Sequence, residues 1–186
     1  MDAAIAALTS ALALSVILIY MLLVALYESW LHPLAIMLAR KGQPVTLWAR
    51  TEAEAARLVA DGENRPYLPA VRFPEALRLT ANLEESLRGC RLLILVVPAQ
   101  RMRENVRRLR EQVPADAVIL SATKGMEIAT TQRMSQVIAE ELPPACHGRI
   151  AVLSGPNIAW EVAAGLPAAS VVAAADEEVA RFVQEM

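Results

Sequence analysis

Two polar turns carry the residue types that could do chemistry: Ser121-Ala122-Thr123-Lys124-Gly125-Met126-Glu127 and, further on, Leu153-Ser154-Gly155-Pro156-Asn157-Ile158. Each closes a short apolar stretch, which puts its polar atoms at the carboxyl end of a sheet, where open α/β sheets bind ligands. Lys124 follows Val118-Ile119-Leu120 and precedes Gly125, so its ammonium can point into a cleft above that edge. A compact cation with three donors there can meet an anion or offset negative charge developing on an oxygen. Gly155-Pro156-Asn157 precedes a helical stretch over 158–164 and offers backbone N–H groups as an anion seat. Asn157 is equally suited to capping that helix, and both roles stand open.

The elements that must hold these turns alternate along the chain. Residues 34–40 predict a helix that Gly42 ends as a cap. A strand follows at Val45-Thr46-Leu47-Trp48, then a helix over 52–60. Residues 61–69 are too dense in Gly and Pro for regular structure and predict a loop. A minor strand over 77–80 and a helix over 83–87 come next. Residues 92–97 are wholly apolar and stop at Pro98, the pattern of a parallel strand covered on both faces. The spacing then predicts a helix over 101–112, a strand over 117–121, a helix over 130–142, a strand over 150–153, a helix over 158–164, a strand over 170–174 and a helix from Glu177. Such alternation means βαβ units. The fold class is α/β: a Rossmann-like, doubly wound parallel sheet.

Composition narrows the partners. The 186 residues suit one domain with an appendage, and a net charge of −2 gives no electrostatic case for nucleic acid. Arg101, Arg103, Arg107, Arg108 and Arg110 cluster, but Glu104 and Glu111 sit among them, as on a solvated helix face. Cys90 and Cys146 lack disulfide or metal spacing, and neither His32 nor His147 has a second ligand at helical spacing, so no metal is predicted. Residues 3–27 carry no charge, a run longer than the roughly 20 apolar residues that cross a bilayer. Arg40, Lys41 and Arg50 follow it, which would leave the remainder cytoplasmic if the run is a transmembrane anchor. A buried helix, or a stretch read in an altered frame, are the alternatives. The predicted division is therefore an apolar segment over 1–33 and an incomplete dinucleotide-binding domain over 34–186.

Over 34–186 the chain resembles the NAD(P)-dependent glycerol-3-phosphate dehydrogenases. The residues that carry the resemblance are Thr46-Leu47-Trp48-Ala49-Arg50, Ser121-Ala122-Thr123-Lys124-Gly125 and Ser154-Gly155-Pro156-Asn157. It implies hydride transfer between NAD or NADP and the small-molecule pair dihydroxyacetone phosphate and sn-glycerol 3-phosphate, serving phospholipid synthesis in a cytoplasmic homodimer. It also implies that Lys124 is catalytic and touches cofactor and substrate. Gly155 and Asn157 would lie against the substrate. Ser29, Trp30, Arg50, Tyr67, Pro98 and Ala159 would border the cofactor, with Arg50 at the position where an arginine accepts the 2′-phosphate of NADP. Arg50 is otherwise a helix-capping residue, Tyr67 loop packing, and Pro98 a plain strand terminator.

The family's glycine turn aligns with Leu26-Tyr27-Glu28-Ser29-Trp30-Leu31, where Leu26, Glu28 and Leu31 replace the three glycines. Glu28 would face the phosphates with a carboxylate, which predicts poor dinucleotide binding. The resemblance further places the principal acid/base lysine in a helical domain that this sequence does not contain, so little turnover is expected of the chain by itself. A membrane-anchored, non-catalytic protein built on the remnant of such a domain is the competing expectation.

Overall fold

A computed structural model describes residue 15, residues 31–155 and residues 159–186. Apart from residue 15, the apolar run over 3–27 lies outside the described residues, as do Ser29, Trp30 and Asn157. Among the described residues no helix is long and apolar enough to cross a membrane.

Helix α1 (Leu31–Arg40) opens with Pro33 in its first turn, where a missing N–H leaves no bond unmade. Its buried stripe is Ala35, Ile36 and Ala39. Gly42, at φ 80°, ends it in a conformation a side chain would resist, and Gln43 N–H donates back to the Leu38 carbonyl at 3.1 Å. Strand β1 (Val45–Trp48) leads to α2 (Glu52–Asp61), whose Thr51 cap accepts from Glu54 N–H. Strands β2 (Glu63–Asn64) and β3 (Leu68–Arg72) follow, and β4 (Leu77–Thr80) pairs in parallel with β1. Helix α3 (Leu83–Leu87) then leads into β5 (Leu92–Leu95).

The main sheet runs β5, β6 (Val118–Ser121), β7 (Ile150–Ser154), β8 (Val171–Ala174). Strands β5, β6 and β7 are parallel, and all four residues of β6 are buried. Leu95, Ser121 and Val152 share one register line, so three strands deliver their chains to a common edge. One face packs Ile119 and Ile150 against Met102 and Val106 of α4 (Met102–Leu109) and Met134, Val137 and Ile138 of α5 (Met134–Glu141). The other packs Val118, Leu120 and Ala151 against Val179 and Val183 of α7 (Glu177–Glu185). Helices on both faces of this sheet are what its unbroken apolar strands require. Trp48 links the β1–β4 pair to the helix layer on this sheet: its indole N–H donates within the pair to the Ala81 carbonyl at 3.0 Å, and the Arg108 guanidinium of α4 lies over its ring at 5.3 Å.

Five expectations need correction. Residues 61–69 are no irregular loop, because β2 and β3 form an antiparallel hairpin. Buried Leu68 and Val71 hold it against α1, and that tertiary anchoring overrides the local Gly and Pro content. The helix expected over 130–142 starts only at Met134, because Thr131 takes φ 56° and residues 127–132 form a loop closed by an antiparallel Met126–Arg133 bridge. The helix expected over 101–112 is a 3₁₀ turn, Ala99–Arg101, followed by α4, while β5 closes at Leu95 rather than Val97.

The largest departure is β8, which runs antiparallel to β7, with Ser154 opposite Val171. A parallel return needs a helix long enough to carry the chain back along the sheet. Among the described residues the connector holds one helix, α6 (Ala159–Ala164), whose six residues rise about 9 Å. That helix also packs away from the sheet, since Arg40 of α1 donates to the Ala163 carbonyl and Ala163 joins the α1 core. The chain therefore re-enters at the same edge it left.

Candidate functional site

The shared edge of β5, β6 and β7 builds the site. Ala122 N–H donates to the Leu95 carbonyl at 3.0 Å, extending the ladder one residue past β6. Thr123 then locks the two chain ends together. Its Oγ1 accepts from Val97 N–H at 3.1 Å and lies 3.0 Å from the Val97 carbonyl, to which its hydroxyl can donate. Val97 and Thr123 thereby set the positions of their successors, Pro98 and Lys124. Pro98 precedes the 3₁₀ turn, and its carbonyl accepts from Arg101 N–H at 2.8 Å.

Lys124 is half-buried, and its Nζ donates to Ser154 Oγ at the end of β7 at 3.2 Å. Gly155 follows directly as a bend. The two turns singled out in the sequence thus meet across neighbouring strands, with the ammonium between them. Gly125, immediately after Lys124, sits at φ 101°. A Cβ there would meet only Ala99 Cβ at an ordinary 3.5 Å, so the backbone rather than the space demands glycine.

Beyond Gly125 the chain is held by charge. Glu127 is buried, accepts from Arg103 Nε at 2.9 Å and Nη2 at 2.8 Å, and also accepts from the Thr130 hydroxyl at 2.5 Å. Arg103 first, and Thr130 second, hold its carboxyl down from 4.5 to about 2. A carboxyl that binds its proton less tightly when folded stabilises the fold above its unfolded value. That contribution is complete above about pH 4.5 and lost as pH falls towards about 2. Glu141 is lowered in the same direction by Arg107. Chemical denaturation of wild type and Glu127→Gln across pH 2–7 is expected to show a stability gap that is constant above about pH 4.5 and closes below it. A gap independent of pH would contradict this assignment.

The remaining predicted residues divide. Arg50, exposed just past β1, donates its N–H to Glu54 Oε2 at 3.3 Å. Tyr67 N–H closes the hairpin turn on the Asn64 carbonyl, and the residue is 46% exposed. Both belong to the β1–β4 half of the fold, whereas Pro98, Lys124 and Gly155 belong to the shared edge. Ala159 is the first residue of α6. Thr123, Ser154 as the partner of Lys124, and Arg103 complete the arrangement, although sequence reasoning assigns them no such roles. Ser154 and Thr123 stand within the two polar turns, while Arg103 reads as part of a solvated face, which its carboxylate contacts correct. His32 is stacked on Phe73 with ring centroids 6.4 Å apart, and burial pushes its pKa below the ordinary value. Among the described residues no group of three His, Cys, Asp or Glu side chains could hold a metal.

Comparison with known proteins bears on what this edge serves. The family model for the NAD-dependent glycerol-3-phosphate dehydrogenase N-terminus matches residues 28–180. The chain belongs to this family. It is 46% identical over 156 residues to a glycerol-3-phosphate dehydrogenase [NAD(P)+] of Corynebacterium glutamicum, covering 84% of this chain and 47% of that protein. A Dehalococcoides mccartyi relative of the same description is 47% identical over 154 residues, covering 82% of this chain and 43% of that one. Among solved structures, glycerol-3-phosphate dehydrogenase from Coxiella burnetii superposes with a TM-score of 0.75 at 35% identity, over 84% of this chain and 47% of its own. The chain thus spans about half the length of the relatives it matches.

Proposed function

We propose that this family member is the cofactor-holding part of an NAD(P)-dependent glycerol-3-phosphate dehydrogenase, with Lys124 as the cation that meets the phosphorylated substrate. The observation that carries the reading is the Lys124–Ser154 hydrogen bond, which puts an ammonium where the ends of β6 and β7 converge. A dinucleotide would span the two halves of the fold, with the exposed Arg50 and the half-exposed Tyr67 on the β1–β4 side and Lys124, beside Pro98, at the shared edge. When bound, the nicotinamide supplies or accepts the hydride. Lys124 offsets charge growing on the substrate oxygen or held on its phosphate, an effect strongest where the donor is fixed before reaction. Thr123 and Ser154 keep it there, and Gly155 leaves backbone open to the substrate.

Arg50 favours the 2′-phosphorylated cofactor. By the resemblance Glu28 replaces a glycine of the family's phosphate-facing turn, and a carboxylate at that position would oppose binding of either cofactor through like-charge contact. Isothermal titration with NADPH and NADH tests the reading. Saturable binding is expected, weak but tighter for NADPH, with Glu28→Gly strengthening it by about tenfold or more. No saturation by either cofactor, in wild type and in Glu28→Gly, would overturn the proposal.

A further inference from the structure

The segment that carries Lys124 has no apolar anchor on its downstream side. Met126 is 50% and Ile128 79% exposed, and Gly125 between Lys124 and Met126 takes φ 101°. The one buried residue there is Glu127, a carboxylate, which a protein interior tolerates only when it is paired. Its partner Arg103 projects from α4 and collects more than one acid: it donates to Glu140 at 2.7 Å and Gln132 at 3.0 Å and also reaches Glu141. Arg107, one turn on, donates to Glu141 at 2.8 and 3.0 Å. Gln100, just before α4, supplies a second tie. Its amide donates to the Met126 carbonyl at 2.8 Å and accepts from Ile128 N–H at 3.0 Å, clamping the backbone on both sides of Glu127.

We propose that Arg103 and Gln100 are positioning residues for the Lys124 turn: together they fasten Met126, Glu127 and Ile128 to α4 and thereby fix where the ammonium sits. Upstream, Thr123 ties the turn to β5; downstream, this polar strut spans the gap to α4. Arginine suits the task because its planar fork satisfies several acceptors at once, which a lysine ammonium does not do with the same geometry. The inference rests on the reading of Lys124 as the substrate-facing cation, but its structural content is testable without any ligand.

Lys41 and Lys124 are the only lysines in the sequence, and Lys41 is exposed at the end of α1, which makes it an internal reference. Limiting acetylation of the full chain with an N-hydroxysuccinimide ester, without dinucleotide or substrate, gives the Lys124-to-Lys41 modification ratio by peptide mass spectrometry. That ratio is expected to rise about threefold or more in Arg103→Met and in Gln100→Ala, as local opening frees the ammonium from Ser154, with Arg103→Lys between wild type and Arg103→Met. Thermal midpoints are recorded in parallel, because a merely structural role for Arg103 would lower the midpoint without moving the ratio. An unchanged ratio in the folded variants overturns the proposal. If Arg103→Met does not fold, Gln100→Ala, which removes no buried charge, decides alone. Failure of the dinucleotide titration would count against the dehydrogenase reading and leave this ratio's meaning intact.

Discussion

Lys124→Met is expected to weaken binding of glycerol 3-phosphate by about tenfold to a hundredfold, measured by titration in the presence of saturating NAD(P), while leaving the unfolding midpoint nearly unchanged. The magnitude follows from removing one charged donor. A hydrogen bond to a charged group contributes about 1.5–3 kcal/mol, and each 1.4 kcal/mol is about a factor of ten. Methionine keeps the length and apolar stem of lysine and removes only the ammonium. Stability should hold because the Lys124 ammonium meets Ser154 in a half-buried setting, and changes of that kind usually stay within about 0.5 kcal/mol. Lys124→Arg should recover part of the affinity, since charge returns but the fork does not match a point-charge site. Equal affinity in wild type and Lys124→Met would remove this residue from the substrate's surroundings and take the proposed mechanism with it.

What the sequence shows of this fold depends on how locally each feature is determined. Strands β5 and β6 are legible because burial on both faces leaves an unbroken apolar run, as in Leu92-Leu93-Ile94-Leu95 and Val118-Ile119-Leu120. Helix α2 is legible through its run of Ala, Glu and Arg over 52–60, and the structure adds its ends, Thr51 capping the start and Gly62, at φ 63°, closing it. The β2–β3 hairpin is not, because its strands are short and Ala70 holds φ 65°, a conformation no propensity would suggest. What fixes it is Leu68 and Val71 packing on a helix distant in sequence. The direction of β8 is illegible for a related reason. Nothing in Val171-Val172-Ala173-Ala174 encodes direction; the short connector and the docking of α6 on α1 do.

The site divides along the same line. Lys124 and Ser154 stand in motifs that announce themselves, and the sheet register explains why they meet. Arg103 is hidden because its partners Glu127, Glu140 and Glu141 lie 24, 37 and 38 residues away. A guanidinium among charged neighbours reads as solvated until the helix that faces it is known. The loop over 127–132 is hidden with it: Thr130 is spent on Glu127 and Thr131 on a left-handed backbone, so the apolar periodicity that suggests helix begins to count only at Met134.

Ile119→Ala is expected to lower the free energy of unfolding by about 2–5 kcal/mol, whereas Ile128→Ala should change it by less than about 0.5 kcal/mol. Both delete the same side-chain atoms, so the contrast isolates environment. Ile119 is fully buried on β6, pairs in register with Leu93 and Ile150, and belongs to the core that α4 and α5 cover. Its loss leaves a cavity that two parallel neighbours and two helices cannot close without disturbing the ladder. Ile128 is 79% exposed and surrenders little. Against a total stability of about 5–15 kcal/mol, the first change consumes a large share of what holds a domain together. Urea denaturation at neutral pH, read by circular dichroism, gives both numbers, and similar values would show that β6 is not the centre of the fold. The distinction also matters for the site. Ile119 lies on the strand that ends at Ser121, so loosening it displaces Thr123 and Lys124 together, whereas the Lys124 turn depends on polar ties on its downstream side. Strain in the core should therefore raise the modification ratio of Lys124 only when β6 itself opens, and strain in the Arg103 strut should raise it while the core stays closed.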